Sequence, residues 1–366
     1  MKITCNRAKF LQQFQVAASV AAARDVRPIL QNVKIKVTKK NVLLQATDTE
    51  VGIRLIVDDC EVHKTGEAVL PAKRLKLMLS ESTAETVEIE SADNKIIFKV
   101  AGKADIELDA WSPDEFPDVE DFEEKSYLEI PASTFSEMIR RTIFATDSEN
   151  ARYALGGILL EFQGDKITAV ATDGKRLAFL DGAAVTTGEM ALETAILPSK
   201  AMAFLERVLS EDEQPVKVGI SQSRAIFKFQ QAVFFTRLVE GKFPKWRSIV
   251  PETEGRTQID ILAGALLPDI RLADTVSTDY NPGIVFIFEN GKMTLKGSGN
   301  EVGKSSVETA ISYTGEKVET KLDPKFVKDF LRVLPADKLV SLYFASGEPV
   351  LAKTDDDYTY IVMPMS

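Results

Sequence analysis

Short segments in which apolar and polar residues alternate run along most of the chain and predict β-strands. Val33 to Val37 and Ala225 to Phe229 follow this alternation, which is the spacing of a strand with one buried face. Other segments repeat apolar residues every three to four positions, as at Phe10, Phe14 and Ala17, and this period predicts amphipathic helices. The pattern therefore predicts an α+β chain.

Two sequence markers recur with one period of about 126 residues. The first follows a strand and is spaced by 125 and 126 residues: Asp48, Asp173 and Gly299. The second is a proline at the start of a helix, spaced by 127 and 126 residues: Pro71, Pro198 and Pro324. Proline fits the first turn of a helix. Because two independent markers keep the same period, the sequence predicts three copies of one unit.

Each predicted unit contains the order helix, then strands, twice over, so a unit is itself predicted to be a doubled half. Two polar segments fit the linkers between units: 113–125, which is acidic and interrupted by proline, and 251–255, which is short. We therefore predict three domains, at residues 1–122, 128–251 and 256–366.

Composition narrows the class of protein. Hydrophobic residues make up 45% and charged residues 27% of the 366 residues, as in ordinary globular chains. No apolar run is long enough for a membrane span, and the N-terminus lacks the order of a signal peptide, so a cytoplasmic location is expected. Cys5 and Cys60 are predicted to be free thiols. His63 is the only histidine, which excludes a His-pair metal site, and no cofactor is predicted.

The distribution of charge is uneven. The chain carries a net charge of −10, which by itself argues against binding to nucleic acid. The six predicted helices, however, sum to +9; they lie at 7–25, 71–80, 131–142, 198–209, 262–273 and 324–334. The acidic residues must therefore lie mostly in strands and loops.

Each strongly amphipathic helix places its cations opposite its apolar face. Leu75 and Leu79 oppose Lys73, Arg74 and Lys76. A single basic helix face can be explained by solvation alone. Because such faces recur on several helices of a chain that is otherwise acidic, contact with phosphates is favoured. No base-reading motif accompanies it, so the contact is expected to be independent of sequence. The helix residues predicted to bind DNA are Lys73, Arg74, Lys76, Arg140, Arg141, Lys200, Arg207, Lys328 and Arg332.

Four short stretches together resemble a known family. They are ATDGKRLA at 171–178, RYALGG at 152–157, DEFP at 114–117 and VMPM at 362–365. The chain is similar over its whole length to the beta subunits of bacterial DNA polymerase III, the sliding clamps. This resemblance implies three tandem DNA-clamp domains, each with two helices packed on antiparallel sheets. It also implies a head-to-tail dimer that forms a six-domain ring with helices around the hole.

The resemblance also implies partners and sites. The implied partners of this non-catalytic processivity factor are duplex DNA, a second copy, the replicative polymerase catalytic subunit, the clamp loader, and repair and translesion polymerases. DNA would also meet Arg24 and Tyr153. A partner-peptide pocket between the second and third domains would contain Leu155, Thr172, Gly174, Arg176, Leu177, Pro244, Ile249, Phe326, Ile361, Val362, Met363, Pro364 and Met365. Dimer contacts would fall at Ile106, Leu108, Leu272 and Val276.

Three positions depart from the family pattern. Lys175 stands where relatives often have histidine, Ala154 replaces a frequent aromatic residue, and the chain ends in Met365-Ser366 rather than in a basic residue and leucine. These departures bear on peptide affinity and on one DNA contact.

Two other functions stay open at the level of sequence. The aspartates at 355–357 or at 58–59 could hold magnesium in a phosphoryl-transfer enzyme, although adjacent side chains on an extended segment point to opposite sides. Alternatively, the chain could be a repeat scaffold that binds peptides without DNA. Salt-dependent retention on DNA would distinguish a clamp from such a scaffold.

Overall fold

The computed structural model describes the chain except residues 23–25, 93–94, 148, 150–152, 210–213, 279–281, 300–301 and 366. The chain forms two compact units. Unit 1 comprises Met1–Ala132, Val185–Leu192 and Val208–Leu238, and unit 2 comprises Ser133–Ala184, Glu193–Arg207 and Val239–Ser366.

Six α-helices lie within the described residues: α1 (Arg7–Ala18), α2 (Ala72–Glu81), α3 (Ala132–Thr142), α4 (Ser199–Val208), α5 (Ala263–Ala273) and α6 (Pro324–Arg332). The predicted helices are confirmed to within two residues at most ends. The exception is α1, which was predicted to reach residue 25 and ends at Ala18. Pro324 is the first residue of α6, as predicted, whereas Pro71 is the N-cap of α2 and Pro198 lies directly before α4.

The strands of the first repeat are β1 (Lys2–Asn6), β2 (Val33–Val37), β3 (Val42–Thr47), β4 (Val51–Val57), β5 (Cys60–Lys64), β6 (Gly66–Leu70), β7 (Thr86–Ala92), β8 (Lys95–Val100) and β9 (Ala104–Asp109). Those of the second are β10 (Tyr127–Pro131), β11 (Gly157–Gln163), β12 (Lys166–Thr172), β13 (Arg176–Ala183), β14 (Val185–Thr187), β15 (Thr194–Pro198), β16 (Pro215–Ile220), β17 (Arg224–Phe229) and β18 (Ala232–Arg237). Those of the third are β19 (Thr257–Leu262), β20 (Ile284–Glu289), β21 (Lys292–Gly299), β22 (Gly303–Ala310), β23 (Val318–Leu322), β24 (Leu339–Phe344), β25 (Val350–Thr354) and β26 (Thr359–Val362).

Each unit contains one long sheet and one short sheet. Unit 1 has a nine-stranded sheet, β14-β10-β16-β17-β18-β4-β3-β2-β6, and a five-stranded sheet, β5-β1-β7-β8-β9. Unit 2 has an eight-stranded sheet, β15-β11-β12-β13-β26-β25-β24-β19, and a four-stranded sheet, β22-β21-β20-β23. The long sheets are two half-repeats joined edge to edge, at β18 with β4 and at β13 with β26.

One row of directly paired residues crosses each long sheet and shows that the halves are equivalent. In unit 1 the row is Leu128, Val218, Phe227, Phe234, Ile53, Ala46, Val33 and Leu70. In unit 2 it is Ile259, Leu342, Ala352, Tyr360, Ala178, Ala171, Ile158 and Leu197. Every residue in both rows is at most 7% exposed, so the row marks the face of the sheet on which the core is built.

Each short sheet contains one half of the same row, and the two halves are not paired with each other. The five-stranded sheet has Ile3, Ile89, Phe98 and Ile106. The four-stranded sheet has Ser305, Gly297, Ile284 and Leu322. Ile106 on β9 therefore holds the position of Phe234 and Tyr360, but no strand of the described chain lies beyond it. Unlike those two rings, Ile106 is 38% exposed.

The repeated Thr-Asp marker is a hydrogen-bonded turn. In the first repeat, Thr47 Oγ1 donates to the carbonyl of Val51 at 2.7 Å. The amides of Glu50 and Val51 donate to Asp48 Oδ1 at 3.0 and 2.9 Å. Short polar side chains stabilise such turns by binding nearby backbone groups, which explains why the marker recurs between β3 and β4 and between β12 and β13.

Two smaller expectations concern the thiols and the membrane. Cys5 and Cys60 are both unbonded and lie directly opposite each other on β1 and β5, with their sulfur atoms 2.8 Å apart. The hydrogen bond with Cys60, together with burial, raises the pKa of the Cys5 thiol. Within the described ranges, no helix has the length and apolar character that a bilayer crossing requires.

Candidate functional site

The turn between β12 and β13 forms one rim of the predicted pocket, within unit 2. Thr172 Oγ1 donates to the carbonyl of Arg176 at 2.6 Å, and the amides of Lys175 and Arg176 each donate to Asp173 Oδ1 at 3.0 Å. Gly174 is exposed and has a φ of +86°, a conformation that glycine adopts without strain. These bonds hold the turn in one shape.

The C-terminal tail lies against this turn. β26 pairs with β13, and beyond the strand the amide of Met363 donates to the carbonyl of Lys175 at 2.9 Å. Two residues later, the amide of Met365 donates to the carbonyl of Lys321 at 2.8 Å. The Met363 side chain is 43% exposed. The backbone of the tail is therefore fixed, while a flexible apolar side chain faces solvent.

An apolar cluster lies beneath the turn and the tail. Leu177 and Ile361 belong to it together with Leu159, Trp246 and Leu351, none more than 5% exposed. The flanking residues Ala154 and Val250 pack against the same cluster. A floor of this kind is suited to apolar side chains of a bound peptide.

The predicted pocket residues differ in exposure. Buried in the floor and walls are Thr172, Arg176, Leu177, Ile361 and Val362. Exposed or half-buried are Leu155, Gly174, Pro244, Ile249, Phe326, Met363, Pro364 and Met365. The exposed side chains are the ones that a ligand can reach, and Ile249, at 45% exposed, also borders an open cleft with Pro251 and Arg256.

Arg176 supports the pocket wall. Its guanidinium donates to Asp329 Oδ2 at 2.8 Å, to Asp173 Oδ2 at 3.0 Å and to the carbonyl of Phe144 at 2.5 Å. It also lies 4.5 Å from the centre of the Phe326 ring. Although burial opposes its charge, the two carboxylates raise the pKa of Arg176. Three of its N–H groups are used within the fold, and through them Arg176 positions Phe326 and the turn.

Trp246 lies in the same apolar cluster as the predicted pocket residues Leu177 and Ile361, and the sequence reasoning missed it. Its indole nitrogen donates to Glu161 Oε1 at 3.1 Å, and its ring centre lies 4.7 Å from that of Phe179. Arg247 stacks over the indole at 4.3 Å and also pairs with Glu161. The only signal in the sequence was a rare tryptophan two residues after Pro244.

The helix cations form a second candidate surface, and they are not equivalent. On α2, Lys73, Arg74 and Lys76 are exposed, and none has an ion-pair partner among the described residues. Leu75 and Leu79 on the opposite face are fully buried, as the sequence predicted. On α6, by contrast, Lys328 pairs with Asp274, and Arg332 lies 3.3 Å from Asp329.

Arg141 was wrongly assigned to the DNA-binding surface. It is 4% exposed and forms ion pairs with Glu137 at 2.6 Å and Asp356 at 2.8 Å. Its guanidinium also lies over the Tyr358 ring. Although burial opposes it, hydrogen bonds from Thr354, Lys338 and Arg141 hold the pKa of Asp356 well below its usual range. Helical phase alone placed Arg141 beside Arg140, and nothing in that phase indicated the distant acid.

The remaining predicted DNA contacts vary. Arg140 is exposed and 3.4 Å from Glu137, and Lys200 and Arg207 are exposed on α4. Tyr153 is 69% exposed, directly before a short 3-10 helix. Arg24 and Ser366 lie outside the described residues. Of the predicted dimer contacts, Leu272 is 60% exposed, and Leu108 and Val276 are half-buried.

Two of the three aspartates at 355–357 belong to an ion-pair network. Asp355 pairs with Lys338 at 2.5 Å, and Asp356 pairs with Lys338 at 3.0 Å as well as with Arg141. Within the described ranges, no group of three or more histidine, cysteine, aspartate or glutamate residues has the geometry to hold a metal ion. The carboxylates of Asp355 and Asp356 are therefore engaged with cations of the protein itself.

Comparison with known proteins finds matches to one family along nearly the whole chain. Family models match the N-terminal domain of the DNA polymerase III beta subunit at residues 1–120, its central domain at 129–245 and its C-terminal domain at 247–366. The beta sliding clamp of Chlamydia pneumoniae is 27% identical, with 100% of this chain and 99% of that protein covered. That of Bacillus subtilis is 25% identical, with 99% and 98% covered.

Solved structures agree. The DNA polymerase III subunit beta from Pseudomonas aeruginosa superposes with a TM-score of 0.89 at 26% identity over 100% of both chains. A griselimycin-bound sliding clamp from the same organism gives 0.91 at 27% identity, over 100% of this chain and 99% of that one.

The three-fold repeat of two helices on antiparallel sheets defines a three-domain clamp. Within that class, the chain belongs to the DNA polymerase III beta subunit family. It is a processivity clamp for a DNA polymerase and has no catalytic role of its own.

Proposed function

We propose that two copies of this chain close head to tail into a ring around duplex DNA and tether polymerases through the pocket. The partners would be the replicative polymerase catalytic subunit, the clamp loader, and repair and translesion polymerases, all acting in the cytoplasm. The domains would be residues 1–122, 128–251 and 256–366. The observation that carries this proposal is that each short sheet ends in an edge strand, β9 or β22, at the position where the long sheets continue into another half-repeat.

The pairing within the two long sheets predicts the register in which β9 of one copy would pair with β22 of the next. Where halves meet within the chain, Phe234 lies opposite Ile53, and Tyr360 lies opposite Ala178. Ile106 holds the same row position as the two aromatic residues, and Ser305 that of their partners. In a ring, Ile106 of one copy would therefore lie opposite Ser305 of the next.

This register also brings opposite charges together. With Ile106 opposite Ser305, antiparallel counting places Glu107 opposite Lys304 and Lys103 opposite Glu308. Opposite charges at directly paired positions stabilise a sheet, whereas like charges destabilise it. The joint would also cover Ile106, and the other predicted dimer contacts, the exposed Leu272 and the half-buried Leu108 and Val276, are proposed for the same interface. Head-to-tail joints of this kind close into a ring when the rotation permits.

A ring would concentrate the helix cations around one hole. The predicted helices are cationic while the chain as a whole is anionic, so DNA would be favoured in the channel and disfavoured elsewhere. Lys73, Arg74, Lys76, Arg140, Lys200, Arg207, Lys328 and Arg332, with Tyr153 and Arg24, are the proposed contacts. Phosphate contacts carry no sequence information, which suits sliding.

A topological assay tests the proposal. The clamp is assembled with a clamp loader on nicked circular DNA, and half of the sample is then linearised. Retention at moderate salt on the circle and loss from the linear form is the expected result. Equal retention on both forms would contradict encirclement, and a scaffold that ignores DNA would be lost equally from both.

A further inference from the structure

We infer that α2 of the first repeat is the principal phosphate-binding element of the ring. The inference rests on the proposed function and adds to it a ranking of the basic helices. α2 has three exposed cations within four residues. Among the described residues, none of the three has a carboxylate partner.

The geometry of α2 fixes these cations outward. Lys73, Arg74 and Lys76 lie within four residues, and Leu75 and Leu79, both fully buried, anchor the opposite face. The only acidic residue of the helix is Glu81 at its last position. The positive charge of this turn is therefore not neutralised from within its own helix.

The other helices have engaged cations. On α1, Arg7 donates to the carbonyls of Leu79 and Ala84 at 3.0 Å each, and Lys9 pairs with Asp59. On α3, Arg140 and Arg141 share Glu137.

The helices α4 to α6 add few unengaged charges. Lys200 and Arg207 have interactions of their own, and Lys328 and Arg332 of α6 pair with acids. Arg271 and Lys325 are exposed without an ion pair in the described structure, but each is the one such cation on its helix. Among the described helices, only α2 has a cluster of exposed cations without ion pairs.

Pairing decides how much a cation contributes to DNA binding. A lysine already bound to a carboxylate must give up that partner, and the carboxylate remains near the incoming phosphate. An unpaired cation only displaces counterions, and each phosphate that it neutralises adds about 0.9 to the slope of log affinity against log salt. Three such contacts on each chain would contribute roughly 2.7 to the slope per chain, or roughly 5.4 for a dimer in which both copies of the helix reach phosphates.

Two triple variants separate this ranking from the total charge. One is Lys73→Gln with Arg74→Gln and Lys76→Gln; the matched control is Arg140→Gln with Lys328→Gln and Arg332→Gln. Both remove three positive charges per chain. Binding of each dimer to a short fluorescent duplex, which can thread a closed ring without a loader, is measured by anisotropy between about 50 and 200 mM salt, the range over which phosphate contacts change affinity strongly. Sedimentation velocity verifies that each variant is still a dimer.

The α2 variant is expected to lower the salt slope of the dimer by about three to five, and the control by less than about two. A further variant, Lys73→Arg with Lys76→Arg, is expected to keep the slope because it keeps the charge. Equal losses in the two triple variants would overturn the ranking while leaving the ring intact. Failure of the wild-type dimer to bind the duplex at any salt would instead overturn the proposed function.

Discussion

The joined and the open sheet edges are built from the same strands but differ in what covers them. Phe234 and Tyr360 are at most 1% exposed because a neighbouring strand from another half-repeat continues the sheet. Ile106, in the same row position, is 38% exposed on an unpaired edge. Unpaired edges invite pairing with another chain. Within the chain, two pairs of half-repeats are therefore joined, at β18 with β4 and at β13 with β26. The edge strands β9 and β22 could form a third joint of the same kind with a second chain.

The largest expected effect comes from placing a charge in the open joint. Ile106→Arg is expected to weaken the dimer by about 100-fold or more, because a buried charge without a partner costs several kcal/mol. Sedimentation velocity across a concentration series measures this change. The control is Val185→Arg, which alters a more exposed apolar residue on β14, at 61% exposed. If both variants dimerise as the wild type does, β9 is not the joint.

The proposed register can be tested by exchanging charges. Glu107→Lys alone is expected to weaken the dimer about tenfold, since it would face Lys304 in both joints of the ring and like charges opposite each other cost up to about 1 kcal/mol each. Adding Lys304→Glu is expected to restore affinity. A double variant no tighter than the single one would show that these residues are not opposite each other.

Deleting the tail should weaken peptide binding without opening the ring. The deletion must begin at Met363, because Ile361 and Val362 lie in a buried strand of the eight-stranded sheet. Binding of a peptide from the replicative polymerase is expected to fall about tenfold, the loss of about 1.4 kcal/mol of apolar contact. Fluorescence anisotropy measures the affinity, and Val302→Ser, at an exposed position on another surface, is the control. Loss of the dimer upon deletion would contradict the pocket assignment.

A smaller effect is expected from the Arg141 network. Arg141→Met is expected to destabilise the protein by about 1–3 kcal/mol, because Glu137 and Asp356 lose a charged hydrogen-bond partner but can be hydrated. Thermal or denaturant unfolding measures this loss, and Arg140→Met is the exposed control. An equal loss in both variants would show that the buried pairs do not stabilise the fold.

The same network predicts a dependence on pH. The folded-state pKa of Asp356 is lowered, so its contribution is complete above the ordinary pKa of about 4 and disappears as the pH falls below it. Arg141→Met is therefore expected to flatten the acid side of the stability profile. An unchanged profile in unfolding experiments between about pH 2 and pH 6, which span the ordinary carboxylate pKa, would contradict this assignment.

Sequence patterns predicted the repeat, the helices and their basic faces because these features depend on local periodicity. On α2 the predicted faces are confirmed, because Leu75 and Leu79 are buried and set the orientation of the helix. Patterns could not separate Arg140 from Arg141, because the ion pair with Asp356 joins residues far apart in the chain. For the same reason they did not single out Trp246, whose contacts with Glu161 and Phe179 also join distant parts of the chain. They also could not give the register of the open edge, which follows only from the pairing of whole sheets.

The most direct measurement of the central claim is a covalent closure of the open joint on DNA. A chain carrying Ile106→Cys and Ser305→Cys is loaded on nicked circular DNA, oxidised and denatured. Dimers cross-linked at both joints should stay with the circle and be released when it is linearised, whereas the out-of-register pair Ile106→Cys and Val307→Cys should cross-link poorly. Cross-linked dimers that leave the circle under denaturant, or equal cross-linking of the two pairs, would contradict a ring closed between β9 and β22.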